Sequence, residues 1–117
     1  MTTWSALISK FALTLLFAVI AFAWVAGGNP WSWIIGLALA ATALNYLLGD
    51  LAILPAAGNL IASIADGGLA ALTAYIFSLI SGAFRVTPAS LLTFAVLVAV
   101  GEFFFHLYLQ RNPKVSP

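Results

Sequence analysis

The sequence contains no cysteine and almost no charge: its 117 residues include four Lys or Arg, three Asp or Glu and a single His. Without cysteine there are no disulfides, no Cys-ligated zinc, no iron–sulfur cluster and no thiol catalysis. Soluble domains run at about a quarter charged residues. The 6% found here cannot cover the surface that so short a chain would expose to water. The apolar content excludes a disordered chain, and a nucleic-acid binder would need a far larger basic footprint. A formal net charge of +1 points to no partner. What is present instead is apolar, 64% of the residues. The composition is that of an integral membrane protein.

The charges are Lys10, Asp50, Asp66, Arg85, Glu102, Arg111 and Lys114, with His106 as the lone histidine. The uncharged run from Lys10 to Asp50 is too long for one helix. It breaks at Gly27-Gly28-Asn29-Pro30, where glycine ends one helix and proline starts the next. Similar breaks fall at Ser81-Gly82 through Pro88 and at Gly49 through Asn59, with Pro55 inside the latter. Four apolar segments remain, near 4–26, 31–49, 59–82 and 88–109. Each has roughly the 20 residues that cross about 30 Å of hydrocarbon. No strand-like alternation persists, and four strands could not close a membrane barrel. The expected fold is all-α, a single domain over 1–117 forming a four-helix transmembrane bundle with short loops.

Ala21-Phe22-Ala23 after an apolar run also resembles a signal-peptide cleavage site. Trp24 and the tight Gly-Gly-Asn-Pro turn suit a retained hairpin better. Four spans put both termini on one side. That side holds Lys10, Arg111 and Lys114 against Arg85 opposite, so the positive-inside rule places the termini in the cytoplasm.

Charged groups inside a bilayer cost a few kcal/mol each on insertion scales and usually mark function or internal pairing. Lys10 lies about two turns into helix 1, and Asn45 about one turn before the end of helix 2. Asp66 follows Asn59 by roughly 10 Å of helix, and Glu102 precedes Leu109 by the same. All four fall in one cytoplasmic-side layer. Each also lies on a face of small side chains, such as Ala6, Lys10, Thr14 and Ala18, or Ala62, Asp66, Ala70 and Thr73. Small faces are where membrane helices approach closely, so these groups should point inward. The candidate site is Lys10, Asn45, Asp66, Glu102 and His106, with Glu102 and His106 four apart. Asp50, Pro55 and Asn59 are rim or loop candidates; the uncharged middle loop over 51–58 lies at the headgroups or folds back over the polar layer.

The stretch Asn45-Tyr46-Leu47-Leu48-Gly49-Asp50-Leu51-Ala52-Ile53-Leu54-Pro55, then Gly58-Asn59 and Ala62-Ser63-Ile64-Ala65-Asp66, resembles the YndM-like family. Gly101-Glu102-Phe103-Phe104-Phe105-His106-Leu107-Tyr108-Leu109 is similar to that family's closing segment. The resemblance implies a small four-helix protein of the cell membrane of Bacillus-type bacteria, and implies no reaction.

Functionally, the expected role is association within the bilayer, as a partner subunit or regulator, with the polar layer as a lock. The bilayer is the first partner, with a second copy or another membrane protein beside it, and no nucleic acid. One alternative is an oligomeric proton- or cation-linked transporter using Asp66, Glu102 and His106. A second is a lipid-headgroup binder using the middle loop. Ser63, His106 and Asp66 are nominally a nucleophile set, but no oxyanion motif accompanies them, so no enzyme is expected. Asp66, Glu102 and His106 have the right ligand types for a metal. One histidine and no cysteine weigh against it, so neither metal nor cofactor is expected.

Overall fold

A computed structural model describes residues 3–111; the side chain of Arg111 and all of Lys114, two of the charges used for orientation, lie outside what it describes. Apart from turns at 26–30, 58 and 81–87 the described chain is helical, with five helices: α1 (Thr3–Val19), α2 (Trp31–Leu44), α3 (Leu54–Ala57), α4 (Asn59–Ile80) and α5 (Pro88–Arg111). Wide, π-helical turns extend α1 over Ile20–Val25 and join α2 to α3 over Asn45–Ile53. Four continuous rods result, Trp4–Val25, Trp31–Ala57, Asn59–Ile80 and Pro88–Tyr108, each long and apolar enough to cross a membrane. The molecule measures 42 Å along its long axis, close to the thickness of a bilayer with its headgroup regions.

Sequence chemistry sets both turns at one end of the bundle. Pro30 precedes α2 with extended backbone, after Gly28 has taken a φ of 88° that a Cβ would disfavour. Asn29 then clips this turn to the 81–87 turn: its Nδ2 donates to Phe22 O and Arg85 O, and its Oδ1 accepts from Arg85 N. Helix α5 starts with Pro88 in its first turn and a reciprocal cap. Ser90 N donates to Thr87 Oγ1 at 3.0 Å, and Thr87 N donates to Ser90 Oγ at 2.8 Å.

The second rod corrects the sequence reading. Its expected end at Gly49 and the expected loop, as far as residue 57, are both helical, and the true reversal is Gly58, with φ 86°. Gly49 terminates nothing: a Cβ there would stand 2.7 Å from Asp66 Cγ. Glycine is present to admit a neighbouring carboxylate. Pro55 lacks the N–H of a regular helix and its ring crowds the preceding turn; the widened turns before it let the rod continue. Gly49→Ala is therefore expected to destabilise the bundle by about 1–3 kcal/mol, as overpacking does. Thermal unfolding in detergent with an unchanged midpoint would show that Asp66 can move aside.

Burial follows the rule for membrane bundles: small residues inside, bulky ones outside. Ala18, Ala21, Ala38, Ala41, Ala62, Ala70 and Ala74 are fully buried, while Trp4, Trp24, Leu60, Ile64, Leu79 and Ile80 are exposed. Helices α4 and α5 approach closest where Gly67 meets the backbone of Ala95 and the methyl of Ala99. The half of the bundle around Asn29 is filled by a continuous apolar core. It contains Phe22, Ile34, Leu37, Phe84, Phe94 and Val98, with the Phe22 ring 5.1 Å from Phe84 and 5.2 Å from Phe94.

Candidate functional site

Polar chemistry is gathered in the other half. Lys10 comes from the middle of α1, set between buried Ala6 and Thr14 one turn to either side. The wide turns of the second rod present Asn45, Gly49 and Asp50 inward. Helix α4 contributes Asn59, Ser63 and Asp66, and α5 contributes Glu102 and His106. Lys10, Asp50, Asp66, Glu102 and His106 are each at most 5% exposed.

Two ion-paired branches meet in this cluster. Lys10 Nζ donates to Asp50 Oδ2 at 2.5 Å and to Glu102 Oε2 at 2.8 Å, which ties α1 to the second rod and to α5. The same ammonium stands 5.6 Å from the centre of the Phe105 ring, within cation–π range. Around His106, Nε2 lies 2.8 Å from Asp50 Oδ1, 3.1 Å from Asp66 Oδ2 and 3.3 Å from Glu102 Oε2. Three carboxylates from three helices thus converge on one ring nitrogen.

The other ring nitrogen fixes the tautomer. Asn59 Nδ2 donates to Phe103 O, which can only accept, so Oδ1 of Asn59 is the atom facing the imidazole. His106 Nδ1 is 2.9 Å from that oxygen and must carry the hydrogen that bridges them. Ser63 Oγ, 3.3 Å from Nδ1, gives its own hydrogen to Asn59 Oδ1 at 3.0 Å. The structure does bring Ser63, His106 and Asp66 together. Yet the ring nitrogen nearest the hydroxyl is a donor, so no base faces Ser63.

Formal charges do not balance. Three carboxylates face Lys10 and His106, so the cluster keeps a net negative charge even with the ring protonated. In a low-dielectric interior an uncompensated charge is strongly unfavourable. Polar atoms are left over as well: both oxygens of Asp66 and both side-chain atoms of Asn45 are buried without a hydrogen bond.

Against the sequence reading, Lys10, Asp66, Glu102 and His106 are brought into direct contact as expected. Asn45 is fully buried on the same inward face as Gly49 and Asp50. Asp50 is not at a rim but at the centre, 1% exposed and bound to both Lys10 and His106. The middle segment is helical, so an Asp on it turns into the bundle. Asn59 opens α4 and orients the histidine, a role its rim placement did not suggest. Pro55 lies exposed on α3 and takes no part. Sequence reasoning missed the Lys10–Asp50 pair; the signal was the Asn45-x-x-x-x-Asp50 spacing, inward at both ends only on widened turns.

Fold and site together define the class: a small membrane-spanning helical bundle with charged groups buried toward one end. Within that class, the family described as "Protein of unknown function (DUF2512)" matches residues 1–115, and the chain belongs to it. The chain is also 41% identical over 71 residues to a Bacillus subtilis (strain 168) protein named "Uncharacterized membrane protein YndM". That match covers 59% of this chain and 39% of the relative, so well under half of the relative's length is represented. No solved structure matches the chain.

Proposed function

We propose that the protein acts by association within a bacterial cell membrane, as a partner subunit or regulator, with its bundle locked by the buried charged cluster. The observation that carries this is where polar chemistry is absent. Among the described residues, the half of the bundle around Phe22, Phe84 and Phe94 is a packed apolar core with no polar route through it. The helix connections there are short turns, which leaves the apolar helix surface as the main face for another molecule. The small-residue groove lined by Gly67, Gly68, Ala95 and Ala99 is the kind of surface membrane helices use to meet. The excess of Lys10, Arg111 and Lys114 over Arg85 supports a cytoplasmic placement of the cluster's end and of both termini. No catalysis is proposed, because Ser63 faces no base.

A photo-crosslinking residue at Val96, beside that groove, tests the reading in native membranes. A discrete protein adduct is the expected result, and lipid adducts alone would contradict it. The second reading, an oligomeric proton- or cation-linked transporter, is favoured by the surplus of carboxylates. It is separated by flux into proteoliposomes. Association predicts the same leak-level flux for wild type, Asp66→Asn and Glu102→Gln, whereas an ion- or pH-driven flux lost in both variants would establish transport. Headgroup binding loses its footing, since Asp50 faces inward and the segment over 51–57 is helix.

A further inference from the structure

We propose that the cluster is a binding site for one divalent transition-metal ion, held by His106 Nε2 and by one carboxylate oxygen from each of Asp50, Asp66 and Glu102. One ligand atom from each of these residues lies within 4.8 Å of the others. Of the distances from Nε2 to the three carboxylates, those to Asp66 and Glu102, 3.1 and 3.3 Å, match the spacing of neighbouring ligands on a metal, and that to Asp50, 2.8 Å, falls just short of it. With metal–ligand bonds of about 2.0–2.2 Å, adjacent ligands stand about 3–3.5 Å apart.

Two further observations point to a ligand at that place. Because Asn59 Oδ1 holds the hydrogen on Nδ1, the unshared pair of a neutral His106 lies on Nε2, aimed at three carboxylates. Repulsive as it stands, that arrangement becomes favourable around a cation. A metal-binding histidine characteristically donates its other ring N–H to a fixed oxygen, as here. Asp66 is the second observation: fully buried and packed against Gly49, it has no hydrogen-bond donor on either oxygen, yet Oδ2 is directed at Nε2.

Charge decides between ions. With His106 neutral, Lys10 and a divalent ion supply three positive charges against three carboxylates, and the buried layer becomes neutral. A single proton on the ring leaves the layer one positive charge short of balance. Lys10 then acts outside the metal's own ligands: it holds Asp50 by Oδ2 and leaves Oδ1 for the ion. Three oxygens with one imidazole suit manganese, ferrous iron or zinc better than magnesium. The inference is independent of whether the bundle associates or transports, since equilibrium binding of the ion reads neither contact with a partner nor flux.

The test uses the full chain, purified in detergent and stripped with a chelator, titrated with Mn²⁺ and followed by the loss of the free aqueous Mn²⁺ electron-spin signal. One Mn²⁺ per chain is expected, displaced by Zn²⁺, with the unfolding midpoint raised by about 5 °C at saturation. Asp66→Asn, which removes a charge that has no donor, should keep the metal-free midpoint and weaken Mn²⁺ binding at least tenfold. His106→Gln should lose it as well. Failure of wild type to take up stoichiometric ion overturns the proposal, as does Mn²⁺ binding by Asp66→Asn as tight as wild type's.

Discussion

Replacing Lys10 with methionine is expected to destabilise the bundle by about 3–5 kcal/mol, the cost of leaving buried charges without their partner. Its ammonium is bound by Asp50 and Glu102 at once, and no other described cation lies in the layer apart from the ring of His106. Methionine nearly matches the side chain in length and apolar volume, so packing changes little and the loss is electrostatic. Removing the orphaned carboxyl charges as well, with Asp50→Asn and Glu102→Gln on the Lys10→Met background, should restore much of the stability, because a neutral amide is far cheaper to bury than a carboxylate. Thermal or denaturant unfolding in detergent reads both. A midpoint for Lys10→Met equal to that of wild type would mean that water or other groups solvate the carboxylates.

The second large effect is expected at His106. Leucine in its place removes a donor from the half-buried Asn59 Oδ1, which still accepts from Ser63, and, from the protonated ring of metal-free protein, a second donor from the buried Asp50 Oδ1. An unsatisfied buried group costs about 1–3 kcal/mol, and a loss of about that size is expected. Asp66→Asn should do the opposite in metal-free protein and leave stability equal or higher. These opposite signs within one cluster distinguish an ordered network from a polar pocket in which every substitution is merely disruptive. Comparable losses for His106→Leu and Asp66→Asn in metal-free protein would contradict the network.

Much of the fold was legible because a bilayer permits few solutions. Long apolar runs broken by Gly-Asn-Pro and Thr-Pro fix four rods, and small faces point inward. The inward set Lys10, Asp66, Glu102 and His106 followed from that pattern. What did not follow was the middle of the second rod. Gly49 has two physical uses, ending a helix or admitting a close neighbour, and local sequence does not distinguish them. Only the position of the Asp66 carboxylate does. Pro55 has a similar ambiguity, since it stops a regular helix but is tolerated after widened turns.

Those two residues decide the fate of Asp50, and with it the chemistry of the site. On a loop, Asp50 is a rim charge in contact with water, and Asp66, Glu102 and His106 make a poor metal set. On an inward helical face it becomes the link between Lys10 and His106, and a fourth ligand appears. Asn59 illustrates the same limit. Its place in the first turn of α4 suggests a cap, but its side chain reaches across to α5 and selects the histidine tautomer, a contact between residues 47 apart in sequence.

The central claim is that a specific ion-paired network, centred on Asp50, holds the buried layer together. It is tested most directly by a double-mutant cycle of Lys10→Met and Asp50→Asn, measured by equilibrium unfolding of the chain in detergent. Residues in direct buried contact couple by about 0.5–3 kcal/mol, and a pair at 2.5 Å that is 1% exposed on both sides should fall in the upper part of that range. A coupling energy near zero, with the two substitutions simply additive, would place Asp50 back at a solvated rim and contradict the arrangement described.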